Sequence, residues 1–154
     1  MQKFPMTIVK RFLPAALLIV NVAVAAEEVT EITVYRSPTC SCCENWRAHL
    51  QQNKFVIKDI VTNDMQVIKI KHGVTPELAS CHTAIINGYV IEGHVPAGDI
   101  RTLLTTKPKV VGIAVPGMPM GAPGMEMGAK KEAYDVVSFD EQHQARLFKR
   151  YTDK

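Results

Sequence analysis

Apolar and polar positions alternate or recur along this chain in short, separable segments. Ile32-Thr33-Val34-Tyr35 is β-branched and aromatic, which predicts a strand, and Ser37-Pro38-Thr39 breaks it. Residues 43–52 run through good helix formers, with Trp46 and Leu50 four apart on one face. Residues 55–61 predict a second strand, after which Asp64 stands as the N-cap of a helix over 65–71 that Gly73 ends. Thr83-Ala84-Ile85-Ile86 predicts a short strand, Asn87-Gly88 a hairpin turn, and residues 89–93 the partner strand. Pro96 opens a helix over 96–105, with Ile100, Leu103 and Leu104 on its apolar face.

The order is βαβα, then a hairpin, then a helix, which is the thioredoxin-like α/β arrangement in a single domain. Its core covers about residues 31–107 of a domain spanning 27–154. Beyond Lys107-Pro108 the pattern weakens. Residues 110–115 are apolar, 116–128 form a loop dense in Gly, Pro and Met, and 134–139 have strand composition. Residues 140–154 form a C-terminal extension that reads as a short polar helix or a frayed tail.

Residues 1–26 follow a different rule. Lys3, Lys10 and Arg11 flank an apolar run over 12–24, and Ala23, Ala25 and Ala26 precede Glu27-Glu28. That is the pattern of a secretory signal peptide, and the run is shorter than the about 20 residues a membrane-spanning helix needs. Without these residues the 18 basic side chains fall to 15, against 15 acidic ones. The mature chain is then near neutral, so no basic patch argues for nucleic acid. Export predicts a periplasmic protein with no membrane association after cleavage, and in that compartment four cysteines would by default form two disulfides.

The cysteine spacing argues for more. Cys40 and Cys43 form a Cys-x-x-Cys pair between a predicted strand and a helix start, where the helix dipole favours thiolate. A thiol-disulfide oxidoreductase acting on protein substrates, with Cys40 and Cys43 as its catalytic pair, is one reading. Cys42 does not belong to that pattern. Adjacent Cys42 and Cys43 make a poor disulfide, and three crowded thiolates repel one another unless a cation neutralises them. Cys81 precedes the strand at 83–86, in the loop that lies against the Cys-x-x-Cys turn in a thioredoxin-like fold. Four sulfurs suit tetrahedral zinc or Cu(I), and closely packed thiolates can bridge several Cu(I) ions. Met118, Met120, Met125 and Met127 add thioethers, poor zinc ligands and good Cu(I) ligands, while His82 and His94 add imidazole. The alternative for the methionines is adaptable apolar filler in a surface loop.

Four stretches carry a family resemblance: Ser37-Pro38-Thr39-Cys40-Ser41-Cys42-Cys43, Leu78-Ala79-Ser80-Cys81-His82-Thr83, Gly88-Tyr89-Val90-Ile91-Glu92-Gly93-His94-Val95-Pro96 and Val115-Pro116-Gly117-Met118-Pro119. In order and over roughly residues 31–140 the chain resembles the CopG-type copper-resistance family of periplasmic thioredoxin-like metal-binding proteins. Ser41 stands where that family commonly has Gly. The resemblance implies copper handling in the periplasm, with Cys40, Cys42, Cys43 and Cys81 as ligands, a role in interconverting Cu(I) and Cu(II), and other copper-handling or export proteins as partners. The remaining polar and aromatic residues carry blander expectations. His49 and His72 read as solvated on their helices, His143 as a tail residue without a role, Trp46 and Tyr89 as core or rim packing, and Glu92 as exposed on its strand.

Overall fold

The computed structural model describes residues 30–126 and 131–152. The signal-peptide segment 1–26 and Met127 lie outside the described residues. Among the described residues, seven strands and three helices form one mixed α/β domain: β1 (Thr30–Arg36), α1 (Ser41–Gln52), β2 (Phe55–Val61), α2 (Met65–Lys71), β3 (His82–Ile86), β4 (Tyr89–Glu92), α3 (Ala97–Thr106), β5 (Gly112–Ala114), β6 (Tyr134–Phe139) and β7 (Ala145–Tyr151). The single sheet has the order β2-β1-β3-β4-β5-β6-β7. Pairing is parallel for β1 with β2 and for β4 with β5, and antiparallel elsewhere.

The elements expected from residues 31 to 106 are all present, and Asn87-Gly88 makes the β3–β4 turn with positive φ at both positions, 47° and 84°. Asp64 is the N-cap residue of α2, but its side chain makes no capping bond. The extension departs from the helix-or-fray expectation. It becomes edge strand β7, held to β6 by the Arg150–Asp135 ion pair and by the stacked rings of Tyr134 and Tyr151.

Strand alternation divides the buried residues between the two faces of the sheet. Ile32, Val34, Ala84, Ile86, Ile91, Ile113 and Val136 pack with Trp46 and Leu50 of α1 and with Ile100 and Leu103 of α3. Val90, Ala114 and Phe139 pack with Val74 and Leu78 on the other face, where Lys69 of α2 meets Thr83 of β3.

The register also fixes where loops meet. β1 ends where antiparallel β3 begins, β4 ends beside that point, and parallel β5 ends beside β4. The loop after β1, the loop before β3, the turn after β4 and the loop after β5 therefore gather at one end of the sheet. Those four segments, with the first turn of α1 and the first residue of β3, carry all four cysteines, His82, His94, Met118, Met120 and Met125.

Candidate metal centre

The strand-breaking Ser37-Pro38-Thr39 turn delivers Cys40 to the N-cap position of α1, with Cys42 and Cys43 in the helix's first turn. The start of α1 is pinned from outside the cysteine cluster. Asp59 on β2 takes Arg36 Nε at 3.0 Å and Arg36 Nη2 at 2.8 Å, and it also bonds Arg47 of α1. Burial pushes the Asp59 carboxyl up, but the two guanidinium groups outweigh it and hold the group below its ordinary value.

Cys40 and Cys43 are joined as a disulfide with Cα atoms 5.5 Å apart, and Cys42 and Cys81 are thiols. All four sulfurs nevertheless lie within 4.8 Å of one another, and Cys40 Sγ is 3.6 Å from Cys42 Sγ. The loop before β3 thus does meet the cysteine turn, as its position in the sequence predicts.

Cys81 also faces two imidazoles, with His82 Nδ1 at 3.2 Å and His94 Nε2 at 3.1 Å. The carbonyl of Pro123 can only accept, so His94 Nδ1, 2.8 Å away, carries the proton and leaves its Nε2 lone pair towards the Cys81 sulfur. His82 is fully buried, its ring tilted by 38° against Trp46 with centroids 4.2 Å apart, and its Nε2 has no hydrogen-bond partner among the described residues. Trp46 Nε1 donates to Val95 O at 2.9 Å, which fixes the indole and, through the ring contact, the imidazole. Burial lowers the pKa of both histidines, that of His82 furthest, where the His94 and Lys69 charges add to it. Burial, with Cys42 adding to it, pushes the Cys81 thiol up to about 12. Without a cation, then, Cys81 is a neutral thiol between neutral imidazoles. A bound soft cation would stabilise its thiolate and take the ring nitrogens that face that sulfur, Nδ1 of His82 and Nε2 of His94, so the donor set fits such an ion.

The methionines separate. Met125 is buried in the core with Ala122, away from solvent, whereas Met118 and Met120 are 55% and 40% exposed. Their loop is anchored at both ends. Gly117 N–H donates to Ala79 O at 3.1 Å and Ser80 Oγ donates to Gly117 O, so Met118 follows directly on a clasp with the Cys81 loop. At the other end Pro123 holds His94, and Gly124 lies so close to α1 that a Cβ there would stand 2.6 Å from Trp46 N.

Two residues, Glu92 and His49, are placed otherwise than hydropathy suggests. Glu92 is fully buried, its carboxylate bonded to Lys69 Nζ, to Ser80 N–H at 2.6 Å and to Thr83 Oγ1 at 2.7 Å. The signal for this was a carboxylate at the end of the apolar run Tyr89-Val90-Ile91. His49 is half-buried and accepts the Ala97 N–H at the start of α3, 3.1 Å away. His143 is exposed, with its ring Nδ1 3.3 Å from Gly73 O.

The family model described as a protein of unknown function, DUF411, matches residues 78–125, which contain Cys81, both site histidines and the Met loop. No curated protein matches. Two solved structures are similar over nearly their whole length. Copper resistance protein CopG, form 2, is 44% identical, with a TM-score of 0.77 over 80% of this chain and 99% of that one. Form 1 of the same protein is 45% identical, with a TM-score of 0.77 over 81% of this chain and 99% of that one. With that identity across the shared fold, and with the cysteine cluster assembled, this chain belongs to the CopG-type copper-resistance family.

Proposed function

We propose that this protein is a periplasmic copper-binding protein of copper resistance, with a thioredoxin-like fold, that holds Cu(I) through Cys40, Cys42, Cys43 and Cys81. The observation that carries the reading is the convergence of four sulfurs within 4.8 Å, one of them against two buried imidazoles. Thiolate sulfur selects Cu(I), and one thiolate can bridge two ions, so a multi-copper cluster suits this crowding. His82 and His94 are accessory ligands on the Cys81 side. Met118 and Met120 are exposed thioethers on the clasped loop, placed to collect copper at the surface, and Met127 would extend that arm. The leader-like residues 1–26 support export to the periplasm.

The Cys40–Cys43 disulfide gives the site a way to change copper's oxidation state. Two Cu(II) ions each take one electron from the Cys40 and Cys43 thiols; the sulfurs join, two protons leave to solvent, and two Cu(I) ions remain. An external dithiol then reduces the disulfide and restores the four-sulfur site.

The same disulfide favours a second reading, a thiol-disulfide oxidoreductase for protein substrates. One titration separates the two. The reduced protein takes up Cu(I) anaerobically against a competing chelator, and the disulfide form, lacking two ligands, binds fewer ions or binds them more weakly. Cys42→Ser abolishes tight binding if four sulfurs hold copper, whereas a Cys40–Cys43 enzyme keeps its disulfide-exchange activity. Reduced protein that binds Cu(I) no better than an unrelated dithiol protein sinks the copper reading.

A further inference from the structure

Beneath the Cys81 loop, on the sheet face opposite Trp46, lies a buried polar cluster with no part in holding the ion. Lys69 reaches from α2, Thr83 from β3 and Glu92 from the end of β4, and all three are buried. Lys69 Nζ donates to Glu92 Oε1 at 2.5 Å and to Thr83 Oγ1 at 3.1 Å, and Thr83 Oγ1 donates to Glu92 Oε2 at 2.7 Å. The remaining contact points out of the cluster: Glu92 Oε1 accepts the backbone N–H of Ser80, the residue before Cys81, at 2.6 Å. Burying two charges in place of apolar side chains is seldom a gain in stability, so the cluster calls for another explanation.

We propose that Glu92, held by Lys69 and Thr83, is the positioning residue of the metal centre, fixing the Ser80 N–H and thereby the place of the Cys81 sulfur against Cys42 and His94. This rests on the copper reading for its consequence but not for its geometry. The Glu92 carboxylate takes the Ser80 N–H, while the Ser80 hydroxyl goes to Gly117 O. The outer side of the Cys81 loop is clasped by Gly117, and the inner side ends on the carboxylate. Strand alternation makes the arrangement possible. His82 points to the Trp46 face, so the next residue, Thr83, points to the α2 face and holds Glu92. One strand start therefore supplies a ligand on one side and a brace on the other. Groups that orient metal ligands in this way are worth about 10- to 100-fold in metal affinity.

The test removes both charges together, so that no lone charge is left buried. Lys69→Met/Glu92→Leu removes the acceptor for Ser80, and Lys69→Met/Glu92→Gln keeps it. In reduced, metal-free protein whose fold is confirmed by circular dichroism, the Leu variant is expected to alkylate at Cys81 several-fold faster, with Cys42 unchanged. Its Cu(I) affinity falls about 10- to 100-fold. The conservative Gln variant recovers both quantities. In a Cys81→Ser background the two variants differ by no more than about twofold in Cu(I) affinity, since a residue acting through Cys81 has nothing left to position. Unchanged Cys81 alkylation in the Leu variant overturns the proposal, as does an affinity loss that persists undiminished without Cys81. If wild type itself binds no Cu(I), the copper reading fails while the alkylation rates still decide the positioning role. Should the Leu variant not fold, Thr83→Val removes one of the carboxylate's three donors, and an unaltered Cys81 alkylation rate there overturns the proposal instead.

Discussion

Gly93→Ala is the substitution that most directly tests whether the four-loop junction sets the metal centre. Gly93 follows Glu92, has φ +71°, and donates its N–H to His82 O at 3.0 Å. A Cβ there would stand 2.5 Å from both Ser80 Cβ and Ser80 Oγ and 2.6 Å from Val115 O. A left-handed alanine costs roughly 1–2 kcal/mol, and forcing a methyl into a filled site costs about 1–3 kcal/mol more. The sum, about 2–5 kcal/mol, is large against the roughly 5–15 kcal/mol total of an ordinary domain but leaves the protein folded. Val115 O is backbone in register with Glu92, so the atoms that yield are those of Ser80, and Cys81 moves with them. Gly88→Ala is the control: its φ is +84°, yet nothing lies within 4 Å of its Cβ. It should cost only the backbone strain of roughly 1–2 kcal/mol. Urea unfolding followed by Trp46, the single tryptophan, measures the stabilities, and anaerobic Cu(I) titration measures the site. Gly93→Ala is expected to lose stability well beyond Gly88→Ala and to weaken copper binding, which Gly88→Ala leaves alone. Equal stability losses, or wild-type copper affinity in Gly93→Ala, would refute the reasoning.

Thermal stability should order the three states of the wild-type protein. Cys40 and Cys43 are 3 apart in sequence, and closing so short a loop contributes only about 2 kcal/mol, whereas a ligand at a thousand times its Kd contributes about 4 kcal/mol. Reduced metal-free protein is therefore expected to melt first, the disulfide form next and reduced Cu(I)-loaded protein last; calorimetry that reverses the final pair argues against a tight four-sulfur site. Acid should destabilise the metal-free protein through His82 and His94, whose pKa values burial lowers from the ordinary 6.5. Between the lowered folded values and 6.5 the unfolded chain binds more protons, so their stabilisation is complete above 6.5 and falls as pH drops below it. Urea midpoints across that range should decline in wild type and decline less in His82→Asn.

The parts of the chain that bury one face were legible, because burial is what imposes a period. α1 shows Trp46 and Leu50 four apart, β1 and β3 are β-branched, and the Asn87-Gly88 turn specifies its hairpin. β7 was not legible because it buries almost nothing: Arg146, Leu147, Lys149 and Arg150 are all exposed, and pairing with β6 rather than hydropathy holds it. β5 is three residues buried on both faces, so it shows an apolar run and no alternation. In the site, the cysteines were legible because their chemistry is carried by residue type and spacing. Glu92 was not, because a buried carboxylate depends on a lysine 23 residues away, and lysine is among the residues least often buried. Met125 is a case composition could not separate: it groups with Met118 and Met120 in one loop, whereas packing places it in the core.

The two halves of the centre are held in different ways, and this bears on which half changes state. Cys81 is fixed from both faces of the sheet, by Glu92 through Ser80 on one side and by His82 on Trp46 on the other, with Gly117 clasping its loop from outside. Its thiol, pushed up to about 12 by burial, is a poor nucleophile for disulfide exchange in the absence of metal. Cys40, Cys42 and Cys43 sit instead at the start of α1, where two of them already form a disulfide across one helical turn. A site that gains and loses ligands by thiol chemistry will therefore do so on the α1 side. Under the proposed copper reading, Cys81 and the histidines would keep a foothold for the ion while the sulfurs at the start of α1 open or close around it.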